Sequence, residues 1–117
     1  MNRLRRAAMN SFAGLRYALR NEESFRQEVL LFGFGLVLGF FIAPNAGWYV
    51  AMIGTVLIVL IVELLNTAIE RLADHISPEF HPRIGAVKDA ASAAVFCAFA
   101  LAGLVWIAAA GVRVGLL

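Results

Sequence analysis

The stretch Val62-Glu63-Leu64-Leu65-Asn66-Thr67-Ala68-Ile69-Glu70-Arg71-Leu72-Ala73-Asp74 holds the residues best suited to chemistry in this sequence. On an α-helix, Glu70 and Asp74 lie within roughly 20° of the direction of Glu63, and Asn66 and Thr67 flank the same line. One face of an otherwise apolar helix therefore carries three carboxylates and an amide. Glu63 ends a long uncharged run, which puts it at membrane depth, where an ionisable group is expensive and is a functional candidate by default. A carboxylate in such surroundings suits a general base. Glu70 lies two turns further on, about 10 Å along the axis, which permits a different role. Mg²⁺ takes carboxylate oxygens and leaves its other positions to substrate phosphates, so Glu70 and a second acid could hold a metal–nucleotide. Glu22, Glu23 and Glu28, at the entrance to the first apolar segment, can supply that acid. Lys88 and Asp89 open the last apolar segment; the lysine either neutralises phosphate charge or snorkels to water as a stop signal. A structural alternative stands beside each acid, namely pairing with an arginine.

Two familiar signatures are missing. There is no GxxxxGK[ST] phosphate loop and no protein-kinase motif set. His75 and His81 are six positions apart, do not share a helix face, and read as surface-loop residues. Cys97 is the only cysteine, which removes disulfide frameworks and multi-cysteine zinc sites.

The elements that must position the stripe follow from charge and hydropathy. The 117 residues are 62% hydrophobic and only 15% charged, too apolar for a soluble domain of this size. No charge falls between Glu28 and Glu63, or between Asp89 and Arg113. The first window is cut by Pro44-Asn45-Ala46-Gly47, which predicts spans at about 27–43, 48–70 and 88–111. Trp48, Tyr49 and Trp106 suit interfacial anchoring. Ahead of them, Leu4, Ala8, Phe12, Leu15 and Leu19 fall within an arc of roughly 80°, and Arg5, Arg6, Arg16 and Arg20 lie off it. Residues 3–20 therefore read as an amphipathic surface helix; they lack the apolar core of a signal peptide. With three spans, all basic residues except Arg113 share one side, so the N-terminus is expected to be cytoplasmic. All eight acids fall at or near that side. Ala86, Ala90, Ala94, Ala98 and Ala102, with Gly35 and Gly39, predict close helix association, within one chain or between copies. A net charge of +2 gives no footprint for nucleic acid. The fold class is all-α: a surface helix and three membrane helices in a single domain, 1–117, leaning towards an oligomer.

Several stretches resemble the small prokaryotic diacylglycerol kinases. They are Asn21-Glu22 with Phe25-Arg26-Gln27-Glu28, Glu63-Leu64-Leu65-Asn66-Thr67-Ala68-Ile69-Glu70, Glu79-Phe80-His81-Pro82, and Lys88-Asp89-Ala90-Ala91-Ser92-Ala93-Ala94. The Phe-Arg-Gln-Glu stretch looks more like these than like the related undecaprenol kinases. The resemblance implies an inner-membrane homotrimer that moves the γ-phosphoryl group of MgATP to the primary hydroxyl of diacylglycerol, giving phosphatidate. It implies Glu63 as the base, Glu22 and Glu70 as metal ligands, and Asn66 and Lys88 as further catalytic groups. It places Arg3, Asn10, Glu79, Phe80, His81, Lys88 and Asp89 near the nucleotide; Asn10 stands where the family often has tyrosine. Ser11, Arg16, Ser24, Phe25, Arg26, Gln27, Glu28 and Ser92 would lie along the lipid approach. The Gly47-Trp48-Tyr49 region departs from the family pattern. The rival readings are an undecaprenol kinase, a proton-coupled exporter using Glu63, and a non-catalytic assembly factor. The exporter leaves the cluster of acids and the lysine unexplained, and three spans give no inverted repeat.

Overall fold

The computed structural model describes residues 2–117. Four helices follow one another: α1 (Asn2–Asn21), α2 (Glu23–Ile42), α3 (Ala46–Ile76) and α4 (Pro82–Arg113). The last three are long and apolar enough to cross a membrane. At 1.5 Å per residue α3 is about 46 Å long against a hydrocarbon core of about 30 Å, so its charged end projects beyond the apolar layer.

Local chemistry sets the breaks. Ala43 precedes a proline and takes extended backbone, which ends α2. Asn45 then caps α3, its side-chain oxygen accepting from the Trp48 N–H at 3.0 Å. His81 caps α4, with Pro82 in the first turn. Between α1 and α2 the break is a single extended residue, Glu22, whose side chain caps nothing. Past α4, Gly115 has φ of 82°, a conformation that favours glycine, and lets the chain fold back so that Leu116 N donates to the Gly111 carbonyl at 2.8 Å.

The central helix is α3, which packs against both α2 and α4, while α1 leans on the start of α2. At the Pro44 end the packing is made by Trp106. Its indole N–H donates to the carbonyl of Met52, a fully buried residue, at 3.0 Å. Its ring lies against Gly35 and Gly39; a Cβ at Gly39 would come within 3.3 Å of the ring, 3.5 Å of Tyr49 and 3.6 Å of Ile53. Tyr49 adds a hydrogen bond of 2.8 Å to the Leu36 carbonyl.

One expectation is corrected here. Trp106 faces into the bundle instead of anchoring at an interface, because an indole N–H in an apolar layer needs an acceptor and Met52 supplies one. The glycines of α2 accordingly seat an aromatic ring in this structure, with no close backbone approach to another helix needed to explain them. In α4 the buried alanines are 91, 98 and 109, whereas Ala86, Ala90 and Ala94 are exposed. A fourfold spacing overshoots a full turn by about 40° at each step, so such a line winds off any straight contact face. The less exposed face of α4 steps by threes and fours, through Ile84, Lys88, Ala91, Val95, Ala98 and Ala102.

Candidate active site at the α1 end of the bundle

Glu63 is buried on α3 with only 7% exposure. The carboxyl group of Glu28, from α2, adjoins it, and Glu22 and Glu70 lie within electrostatic reach. One turn along, the Asn66 amide donates to Glu70 Oε1 at 3.0 Å and fixes the direction of that carboxylate. The acceptors Glu28 Oε2 and Asn66 Oδ1 are buried without a partner among the described residues. Such atoms call for a donor or a cation, since a buried polar group left unpaired is costly.

Two cations reach this region. Arg71 donates through Nε at 2.9 Å, and through a second guanidinium nitrogen, to Glu22 Oε1, and its guanidinium carbon lies 5.4 Å from the centre of the Tyr17 ring. Lys88 of α4 pairs with Asp74 of α3 at 2.5 Å. It therefore turns towards the polar stripe and ties α4 to it. Both cations are thereby matched by Glu22 and Asp74; among the described residues no ion pair reaches Glu28, Glu63 or Glu70.

The remaining expected residues divide into two groups. At the α1–α2 junction, Arg26 spends its guanidinium on the carbonyls of Leu19 and Arg20, at 3.0 and 3.1 Å, and Phe25 is buried at 2% exposure. Both hold the junction together, while Ser24 and Gln27 beside them are exposed. Ser11 donates back to the Ala7 carbonyl and, with Leu15, Tyr17, Leu64, Thr67 and Arg71, lines a cleft of about 660 Å³ between α1 and α3. Arg16 and Ser92 are exposed on α1 and α4. In the second group, Arg3 and Asn10 are exposed on α1, Asp89 is exposed on α4, and Glu79, Phe80 and His81 occupy the exposed turn between α3 and α4. Among the described residues none of these side chains hydrogen-bonds to the stripe. His75 and His81 join no group of three or more potential metal ligands among the described residues.

Sequence reasoning missed Arg71 and Tyr17. Arg71 follows Glu70 directly and reads as an end-of-span cation; its partner is 49 positions away, and nothing local announces the pairing.

A deep carboxylate, an amide-oriented carboxylate a few residues on, and a pair of interfacial cations make an arrangement suited to handling phosphate at a membrane surface. The model of the prokaryotic diacylglycerol kinase family matches residues 9–110. The chain is 41% identical to a diacylglycerol kinase of Haemophilus influenzae over 96 residues, 82% of this chain and 81% of that protein. It is 40% identical to that of Escherichia coli over 104 residues, 89% and 85% of the two chains. A Pseudomonas aeruginosa diacylglycerol kinase is also 40% identical, over 106 residues that cover 91% and 86%. The chain belongs to the prokaryotic diacylglycerol kinase family.

Proposed function

We propose that this protein transfers the γ-phosphoryl group of ATP to the primary hydroxyl of diacylglycerol, giving phosphatidate, as a homotrimer in the bacterial inner membrane. The observation that carries the reading is the convergence of Glu63, Glu28, Glu70 and Glu22 where three apolar helices meet the surface helix. Diacylglycerol is favoured over a polyprenol because the relatives bear the name diacylglycerol kinase. Membership of a kinase family leaves no support for the exporter and assembly-factor readings. The arginine-rich α1 and the basic residues between 71 and 88 support a cytoplasmic orientation for this end of the bundle, where ATP is available.

The residues fit a hard divalent cation. Carboxylate donors are present, two buried acceptor oxygens lack partners, and the acidic groups outnumber the cations that pair with them. Mg²⁺ is held by one or two carboxylates together with the phosphates of its substrate, so two carboxylates suffice on the protein side. Glu22 and Glu70 would hold it, and when bound it neutralises charge on the transferring phosphoryl group. Glu63 accepts the proton of the lipid hydroxyl as that oxygen attacks phosphorus. Its burial keeps bulk water from competing for the phosphoryl group. Asn66 orients Glu70, and Lys88 supplies positive charge once it leaves Asp74 for a phosphate. The cleft between α1 and α3 admits the acyl chains, with its apolar residues Leu15 and Leu64 beside the stripe.

The test is ATP consumption by protein purified in mixed micelles with Mg²⁺, offered either diacylglycerol or undecaprenol. The expected result is rapid, diacylglycerol-dependent turnover with little on the polyprenol. Equal or greater use of undecaprenol would overturn the substrate assignment, and ATP consumption independent of lipid would overturn the reaction.

A further inference from the structure

Glu22 occupies an unusual position. It is the single extended residue between two helices, at an N-cap site where a short polar side chain would turn back onto the helix N–H groups. Its carboxylate leaves those groups alone and reaches across to Arg71 instead. Both guanidinium contacts fall on Oε1, so Oε2 is left out of the pair. The pair is open to solvent, with side-chain exposures of 51% for Arg71 and 23% for Glu22, so ions can reach it. The Tyr17 ring offers the guanidinium a second contact that does not depend on Glu22.

We propose that Arg71 is a positioning residue that acts as a built-in competitor of the divalent cation at Glu22. It clamps the α1–α2 junction onto α3 and has to yield its carboxylate when the cation is taken up. The inference rests on the reading of Glu22 as a metal ligand. Its physical content is a carboxylate with two rival cations. Held by Arg71, Glu22 is neutralised and the surface helix is tied to the end of α3 through the junction. With the clamp opened, the carboxylate is free to ligate and the guanidinium stays over Tyr17, facing the cleft between α1 and α3. Arg71 is thus placed to lower the affinity of the site for its cation, and this makes cation uptake the event that releases the junction.

Binding of Mn²⁺ alone to the full-length protein in detergent, counted by paramagnetic resonance of the free ion, tests this without turnover. Exposed ion pairs are weak, so Arg71→Ala should tighten Mn²⁺ binding by about two- to fivefold. Glu22→Gln should weaken it by about tenfold, in line with loss of a charged ligand. In the Glu22→Gln background, Arg71→Ala should change nothing further, because the competition has lost its object. If Arg71→Ala fails to fold, Arg71→Gln takes its place and should shift the affinity in the same direction by a smaller factor. Unchanged or weaker Mn²⁺ binding on loss of Arg71, with Glu22→Gln weakening as expected, overturns the competitor role and leaves Glu22 as a ligand. A tightening that persists in the Glu22→Gln background also overturns it, since it would show general repulsion. Unchanged binding in Glu22→Gln overturns the ligand reading and the inference together.

Discussion

The two ends of α3 are built on opposite principles. At the Pro44 end, a tryptophan from α4 fills the space left by two glycines of α2, and its only polar atom is satisfied by a backbone carbonyl. At the α1 end, the same helix brings a buried carboxylate against another carboxylate, leaves two buried oxygens without partners, and relies on ion pairs with exposed partners. In a bilayer, helices gain little from hydrophobic burial against one another, so close packing and satisfied hydrogen bonds supply the association. The first end has both in neutral form, whereas the second is held by charged contacts that are largely open to solvent. On the proposed reading of the site, the difference teaches that stability and chemistry are divided along one helix: the Pro44 end holds the bundle, and the α1 end carries unfavourable groups that the reaction would need.

Changes at the Pro44 end should cost structure and spare chemistry. Trp106→Ala removes a ring that touches Gly35 and Gly39 and leaves the Met52 carbonyl without its indole donor. It should destabilise the protein by about 3 kcal/mol, near the low end for such truncations because the ring is only partly enclosed. Thermal unfolding in detergent measures the loss, and turnover per folded molecule should stay within about twofold of the parent. A large drop in specific turnover with unchanged stability would erase the division.

Changes at the stripe should show the reverse. Asn66→Ala frees the carboxylate of Glu70, which the amide now holds at 3.0 Å. Turnover should fall about tenfold, equivalent to about 1.4 kcal/mol, and the Mg²⁺ concentration for half-maximal activity should rise. Melting should move little, because Oδ1 of Asn66 already lacks a partner. A smaller effect is expected for the surface helix. Phe12 is exposed on α1, and Leu15 borders the α1–α3 cleft. Serine at both positions should raise the KM for diacylglycerol about threefold, through weaker seating of the helix on lipid, and leave the KM for MgATP unchanged. A loss confined to MgATP would assign the helix to the nucleotide.

Much of this division is legible in the sequence, for physical reasons that also mark its limits. Uncharged runs and the Pro44-Asn45 break locate the membrane helices, because lipid forbids charge and proline forbids helix continuity. Glu63, Asn66 and Glu70 share a face by helix geometry alone, so the stripe needs no tertiary information. What stays hidden depends on how helices cross. The seat of Trp106 on Gly39, 67 positions apart, and the reach of Arg71 to Glu22 are set by helix rotations that periodicity does not encode. The alanine line of α4 shows a related limit: Ala98 is buried within the chain while Ala86, Ala90 and Ala94 are exposed, and spacing alone does not distinguish a contact inside the chain from one between copies.

The most direct test of the division is Glu63→Gln, followed by both thermal unfolding and lipid-dependent ATP turnover on the same preparation. Glutamine keeps the shape of the side chain, cannot accept the proton, and relieves the crowding of carboxyl groups around Glu28. The account predicts a melting temperature equal to or above that of the parent, nearly unchanged nucleotide affinity, and turnover lower by about 10² or more. A variant that melts lower and turns over at a rate near the parent's would contradict it, because Glu63 would then be holding the bundle together and not performing the chemistry.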